Sequence, residues 1–464
     1  MMSQMECSGI LNRNIEKTIM TGNIYRAYKD ETRKSAISIP AFSRLRENLI
    51  FKNGDKIEIC AFPDKRPVSA TWELSRNAIE ESFLKGNSDV CYDQSIKTLL
   101  SSEKLRPGFY DLHFNIKFTD DDFQKATTTF GYRIEEISIT DSRPCDFDSF
   151  WENAKAELEK IPFNASEEYV GEFTDEEIQK YNTEYASLPE NYDFLTKKTK
   201  KTKLYKIKFD SFPNHRMSAF LAIPNGQGPF PGLLLLPGAG CSKLPAPLEQ
   251  ARHGYVSLML HIHGGMDIDQ ETYNTPPHYL NLLENKGIEE QYYYNVYLAC
   301  VQAFKYLSSR SEVISDKIGV AGASQGGLLS IITAALCPNV NAVIYPLCYY
   351  AYWPYRNLVE KLNQQKSNGE NVEPHFNVDE KKQKYLSYYD PVNFAPLVKA
   401  SALTMASLCD IPSPAMTVYS VYRSLGEIKK EICWSPCTNH DMSFAFERYA
   451  WKWLSKFRKA EDGR

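Results

Sequence analysis

Apolar and polar residues alternate strictly along Tyr110-Asp111-Leu112-His113-Phe114-Asn115-Ile116-Lys117-Phe118, the pattern a strand needs when one of its faces is buried. Residues 69–74 repeat it, 56–62 and 130–139 are strand-like, and Asn53-Gly54-Asp55 and Pro107-Gly108 supply turns. Short strands at this spacing, with no strong helical pattern between them, predict an all-β sandwich of immunoglobulin-like size over residues 38–140, preceded by a polar extension at 1–37.

The period changes near residue 140. Asp146-Phe147-Asp148-Ser149-Phe150-Trp151 opens a helical pattern that runs to Lys160, with an aspartate near its start and aromatics spaced along one face. From about Tyr205 onward, strand-like runs alternate with helix-like ones. Such strand-like runs lie at 233–236, 256–260, 317–320 and 342–345, and runs that are apolar on consecutive residues mark strands buried on both faces. They predict an α/β domain over 141–464, with a mostly parallel, doubly wound sheet and helices above and below it. A chain of 464 residues exceeds what one core usually organises, in keeping with two folded domains.

Composition narrows the choice of partner. Hydrophobic residues make up 43% and charged residues 24% of the chain, as in folded globular proteins. The net charge of −4, with both signs interspersed, offers no basic stripe for nucleic acid and no polybasic stretch for a membrane surface, leaving a small or neutral molecule as the expected partner. Residues 1–40 are charged throughout and carry no apolar run of signal-peptide length. The 11 cysteines are scattered, with only Cys433-Trp434-Ser435-Pro436-Cys437 close enough to suggest a pair. They read as buried free thiols, which points to the cytoplasm.

Candidate chemistry appears at residue 318. Ile318-Gly319-Val320-Ala321 reads as a strand and 325–336 as a helix, with Gly322-Ala323-Ser324-Gln325-Gly326 between them. A sharp strand-to-helix turn of this kind is a nucleophile elbow: small neighbours let the chain pack tightly, and the serine oxygen is pushed out toward substrate. The competing reading is a glycine-rich turn carrying an ordinary serine. The flanking strand and helix favour the elbow, and with it an α/β-hydrolase.

A serine hydroxyl needs a base, and in this fold the partners follow in the order Ser, Asp or Glu, His. Downstream of Ser324 lie only His375, in a polar stretch, and His440, in Cys437-Thr438-Asn439-His440-Asp441 between a strand-like run at 430–434 and a C-terminal helix at 443–457. His440 is the expected base. Residues 402–408 form a strand-like run ending in Cys409-Asp410-Ile411-Pro412, so Asp410 is the expected acid, and Asp441 is expected to cap the final helix. The oxyanion donors are expected to be the backbone N–H groups of Gln325, directly after the nucleophile, and of Ala239, in the Pro237-Gly238-Ala239-Gly240 loop after residues 233–236. A plain strand-to-helix connection is the alternative for that loop.

Two further clusters invite readings. His261 and His263 stand on alternate residues of a strand, but only Asp267 is near enough to complete a metal site, and a serine triad has no use for zinc. Aromatics gather in Tyr292-Tyr293-Tyr294 and in Tyr349-Tyr350-Ala351-Tyr352-Trp353-Pro354-Tyr355. The second group follows the strand after the elbow helix, where Tyr349, Tyr350 and Trp353 would line a substrate pocket or serve as ordinary core packing.

Together these residues resemble the acetyl xylan esterases and cephalosporin C deacetylases. The resemblance runs from about Cys145 to the C-terminus. Residues 146–151 are similar to the family's Asp-Phe-Asp-x-Phe-Trp opening, 318–329 to its Ile-Gly-Val-x-Gly-x-Ser-Gln-Gly-Gly elbow, and Asn393-Phe394-Ala395-Pro396 also matches. It implies Ser324, Asp410 and His440 as the triad, Ala239 and Gln325 as the oxyanion hole, no metal or cofactor, and removal of small acyl groups, chiefly acetyl, from hydroxyls of short carbohydrates or antibiotics. Such a small-molecule or oligosaccharide ester is the implied partner. It also implies ring-like homo-oligomers, which the additional front domain would reshape or block. The chain departs from the pattern twice. Pro237-Gly238-Ala239-Gly240 stands where the family has His-Gly-Tyr-Gly, and His261-Ile262-His263-Gly264-Gly265-Met266 stands where it has Asp-x-Arg-Gly-Gln-Gly, which removes a tyrosine, an arginine and an aspartate. The alternatives are a peptidase, thioesterase or acyl transferase on the same scaffold, or a non-catalytic binding protein with a degenerate hydrolase fold.

Overall fold

A computed structural model describes residues 48–458 apart from 64, 78, 80, 120–121, 183–200, 213–214, 240–243, 264–288, 290–291, 367–379 and 437. The polar extension at 1–37 and His375, Asp267 and Cys437 lie outside the described residues.

Seven strands come first: β1 (Ile50–Phe51), β2 (Ile57–Ala61), β3 (Ser69–Arg76), β4 (Leu84–Val90), β5 (Ile96–Leu100), β6 (Gly108–Lys117) and β7 (Phe123–Tyr132). They pair in the order β1-β7-β6-β3-β4-β5-β2, antiparallel except for β1 beside β7. The alternation along β6 is real: Tyr110, Leu112, Phe114 and Ile116 are buried, while Asp111, His113, Asn115 and Lys117 are not. The strand expected over 130–139 instead lies at 123–132, because Arg133 takes a left-handed conformation (φ 48°) and a short 3₁₀ turn at Ile134–Glu136 follows. β4 has no apolar alternation to betray it. Its Gly86 lies so close under the Trp72 indole that a Cβ there would approach the ring to 2.7 Å.

Helix α1 (Phe147–Glu159) buries Phe147, Trp151, Ala154 and Leu158, one stripe at helical spacing. The second sheet is built from β8 (Ser166–Thr174), β9 (Lys201–Phe212), β10 (His215–Pro224), β11 (Phe230–Leu235), β12 (Val256–His261), β13 (Val313–Ala321), β14 (Ala342–Ile344), β15 (Ser401–Ser407) and β16 (Lys430–Ser435), in the order β16-β15-β14-β13-β11-β12-β10-β9-β8. The six strands β11 to β16 pair parallel, and β8, β9 and β10 extend the sheet antiparallel. Between them run α2 (Asp175–Tyr181), α3 (Leu248–Arg252), α4 (Tyr292–Ser308), α5 (Gln325–Leu336), α6 (Trp353–Lys366), α7 (Glu380–Ser387), α8 (Pro391–Phe394) and α9 (Ala415–Ser424), and α10 (Phe444–Arg458) closes the chain.

Both faces of this sheet are covered, as its consecutive apolar runs predict. On β11, Leu233 and Leu235 pack with Phe446, Trp453 and Leu454 of α10, while Leu234, and Leu236 just past the strand, belong to the larger core. That larger core runs without a break into the first sheet, where the Phe109 ring lies 5.9 Å from Tyr419 and 5.7 Å from Trp434. From β11 the chain passes to β12 on one side and then to β13 on the other. At such a switch point the loops after neighbouring strands diverge and leave a crevice at the carboxyl ends. Among the described residues no helix is long and apolar enough to cross a membrane.

Candidate active site

Ser324 sits at the turn between β13 and α5 with φ 58° and ψ −117°, a strained conformation for a residue with a side chain. The glycines around it are required by contact. A Cβ on Gly322 would lie 2.4 Å from the carbonyl oxygen of Leu236, and one on Gly326 2.2 Å from the same oxygen. The elbow is further pinned to the loop after β14: Ser324 N donates to Pro346 O (3.0 Å), and Tyr349 N donates to Ser324 O (3.2 Å).

The three residues singled out in sequence meet here. His440 Nε2 lies 2.8 Å from Ser324 Oγ, and His440 Nδ1 lies 2.8 Å from Asp410 Oδ2. Because an ionised carboxylate can only accept, Nδ1 carries the proton and Nε2 is left to accept from the serine hydroxyl. Asp410 is 3% exposed. Burial pushes its carboxyl up from the usual range, opposed by His440, by the Ser413 amide and by the Arg356 guanidinium. Ser413 N donates to Asp410 Oδ1 at 2.7 Å, so both carboxylate oxygens are engaged.

Two loops are laced together to hold this geometry. Cys409 N donates to Thr438 O (3.2 Å) and Leu408 N to Ser435 O (2.9 Å), while Thr438 Oγ1 donates to Ser407 Oγ and Ser407 Oγ to Asp441 O. Nothing in the sequence marks Ser407 and Thr438, since small hydroxyls in loops are common and only their meeting gives them a role. Asp441 is exposed, and the cap of α10 is Ser443, whose Oγ accepts from Phe446 N. This corrects the expectation that Asp441 caps that helix, because a hydroxyl three residues before the donor is better placed.

Gln325 is fully buried at the first turn of α5, where the positive end of the helix dipole lies. Its side-chain Nε2 donates to Tyr293 Oη at 2.9 Å. Ala239 is half-buried in the loop after β11, the strand paired with β13. The two expected oxyanion donors thus leave neighbouring strands. Gly240 lies outside the described residues.

The three aromatics expected to line a pocket fall in different places. Tyr349 is half-buried with its ring 6.4 Å from that of His440. Tyr350 and Trp353 are each only 2% exposed and stack on one another behind it. Leu347, Tyr350 and Tyr352 all take positive φ, and the segment is clamped by Asp390, which accepts from Tyr352 N, Trp353 N and Val392 N at 2.8 to 3.0 Å. Burial pushes the Asp390 carboxyl up to about 6, against the pull of these three amides. The sequence carries a trace of this residue, since Asp390-Pro391 is a cap followed by proline at the first helical position.

His261 and His263 do share a neighbourhood, with ring centres 5.9 Å apart. His263 Nδ1 meets Tyr292 Oη, and burial pushes His263 down to about 3. Among the described residues no group of three or more His, Cys, Asp or Glu stands together as a metal site. Among the described residues Cys60, Cys91, Cys145, Cys300, Cys337, Cys348 and Cys409 are free thiols. A cavity of about 250 Å³ lies against the elbow, walled by Leu236, Pro237, Ala323, Met442, Phe446 and Trp451 among others, but not by Ser324 or His440.

A strained serine between a parallel strand and a helix, served by a histidine and an aspartate from later strand ends, defines an α/β-hydrolase. A model of the acetyl xylan esterase (AXE1) family matches residues 162–457, and the chain belongs to that family and is a carboxylic ester hydrolase. The acetyl esterase Axe7A of Xylanibacter ruminicola is 27% identical over 426 residues, covering 88% of each chain. A peroxisomal succinyl-coenzyme A thioesterase of Mus musculus is 31% identical over 131 residues, 28% of this chain and 26% of that one. Among solved structures, acetyl xylan esterase 1 from Thermoanaerobacterium sp. aligns with a TM-score of 0.56 at 21% identity, over 70% of this chain and 98% of that one. An acetyl xylan esterase from Paenibacillus sp. aligns with a TM-score of 0.53 at 24% identity, over 69% and 96%. These two share the fold.

Proposed function

We propose that the protein is a serine esterase that removes acetyl groups from carbohydrate hydroxyls through an acyl-enzyme. The observation that carries the reading is the unbroken relay Asp410–His440–Ser324, with both contacts at 2.8 Å. In this reading Ser324 Oγ attacks the ester carbonyl as His440 Nε2 takes its proton, a step that general-base catalysis speeds by about 10²–10⁴-fold. The backbone N–H groups of Gln325 and Ala239 receive the developing oxyanion, each such donor being worth roughly 10²–10³-fold. The protonated His440 then delivers its proton to the leaving sugar oxygen. A water activated by the same histidine finally releases acetate. Asp410 holds the tautomer and stabilises the imidazolium.

The acetyl preference is supported by family membership. We also propose that the seven front strands close as a β-sandwich, a reading supported by the one-sided burial of β6 and by Ile57, Ile59 and Ala61 buried on β2. A fluorophosphonate probe is expected to label the parent and not Ser324→Ala. Specificity constants on p-nitrophenyl acetate, butyrate and octanoate are expected to fall steeply with chain length. A roomy apolar pocket would instead add up to about 0.8 kcal/mol per methylene, so a rise toward octanoate would replace the deacetylase reading with a lipase or thioesterase.

A further inference from the structure

Arg356 lies in the first turn of α6, outside the triad, and is 6% exposed. A guanidinium is costly to bury unless its charge is met. Here its carbon lies 4.6 Å from the centre of the Tyr349 ring and 5.6 Å from that of Tyr350, and its Nη1 donates to Pro412 O at 2.8 Å. Each of these contacts leads to the reacting groups. Pro412 is two residues beyond Asp410, and the next residue, Ser413, supplies the amide that holds Asp410 Oδ1. Tyr349 faces the His440 ring and is bonded through its own amide to Ser324 O. One side chain therefore touches both the loop that carries the acid and the aromatic wall beside the base.

We propose that Arg356 is a positioning residue for ester hydrolysis, gripping the acid loop at Pro412 and the Tyr349 ring together so that Asp410 and His440 keep the register that activates Ser324.

The proposal rests on the triad reading above and asks for the chemistry of arginine specifically. A planar guanidinium stacks on a ring while directing a donor along its edge; an ammonium keeps the charge but offers no such plane. The charge also has a job of its own. Asp410 is removed from water, and the groups acting to keep it ionised are His440 from the loop after β16, the Ser413 amide, and Arg356 from α6. On the far side of the acid loop, Cys409 meets Thr128, Thr129 and Asp111 of the first sheet, and Asp111 is itself engaged by Asn77 and Thr129. Among the described residues Arg356 is the permanent cation acting on Asp410. Without it the Asp410 carboxyl takes up its proton at a higher pH, and the acidic limb of kcat/KM, which reports protonation of the relay as a unit, moves up with it.

The test compares the full-length parent with Arg356→Met and Arg356→Lys on p-nitrophenyl acetate, recording kcat, KM, the pH profile and Tm. The Met variant is expected to lose roughly tenfold or more in kcat, with KM changed less than about threefold and the acidic limb moved to higher pH. The Lys variant is expected to lose kcat while its acidic limb stays near that of the parent. A Met variant with kcat within about threefold of the parent overturns the proposal, and so do equal losses in both variants with the acidic limb unmoved, the mark of a packing role alone. If the Met variant does not fold, Arg356→Lys and Tyr349→Leu carry the test, and parental kcat in both overturns it. A parent that does not hydrolyse the ester refutes the triad reading and takes this proposal with it, whereas an active parent with indifferent Arg356 variants refutes this proposal alone.

Discussion

Asp410 and Asp441 stand one on each side of the question of which carboxylate serves His440, and burial separates them. Asp410 is enclosed and bonded to Nδ1, whereas Asp441 is exposed and its backbone carbonyl accepts from Ser407 Oγ. Replacing Asp410 by Asn keeps the volume but can present a donor to a donor, so that the imidazole is driven to the tautomer whose Nε2 already carries hydrogen. Asp410→Asn is expected to lower kcat by roughly 10³–10⁴-fold, while Asp441→Asn stays within about twofold, as surface changes usually do. Initial rates on p-nitrophenyl acetate decide between them, and the reverse pattern would move the acid to position 441.

At the scale of an element, the loop after β14 carries three left-handed residues, Leu347, Tyr350 and Tyr352, each costing about 1–3 kcal/mol. Asp390 offsets part of that cost by accepting three amides. Its own carboxyl is pushed up to about 6 by burial, above the unfolded value of about 4. A carboxyl raised on folding stabilises the fold most where both states are protonated, and that contribution is lost as pH rises from about 4 to about 6. Asp390→Asn cannot follow this course and also loses the acceptor for Trp353 N, at a cost of about 1–3 kcal/mol. The stability gap between parent and variant, measured by denaturant titration, is expected to widen as pH falls from about 6 to about 4. A constant gap would show that Asp390 does not titrate in that range.

This loop also shows where sequence reading stops. The elbow was legible because a backbone so near a carbonyl that a Cβ would lie 2.2 Å from its oxygen demands glycine, and because the runs on β11 to β15 are largely apolar. That His440 and Asp410 would meet Ser324 was legible from their places after strands. Arg356, Ser407 and Thr438 were not, since each acts through a contact with a distant segment and leaves no local pattern. The edge strand β8 was missed for a different reason: its residues are mostly exposed, so burial imposed no period on them.

At the scale of the whole molecule, the first sheet lies against the elements that build the site. Phe109 of β6 is buried between Tyr419 of α9 and Trp434 of β16, and Tyr355 Oη reaches the carbonyl of Asn77. Phe109→Ala empties a shared volume, and a phenylalanine-to-alanine change in a core costs about 3–5 kcal/mol. Calorimetry is expected to show one lowered transition for the whole chain. Two transitions, with the later one unmoved, would mean that the sheets are stable independently.

The shared contact has a consequence for descent. Phe109, Tyr419 and Trp434 are far apart along the chain but fill one space, so a drift in the size of one ring can be answered only by a change at another. Related chains should therefore carry matched sets at these three positions, inherited together, and a chimera joining the front sheet of one to the hydrolase sheet of another should recover its stability when the set is restored, even though none of the three touches the reacting ester.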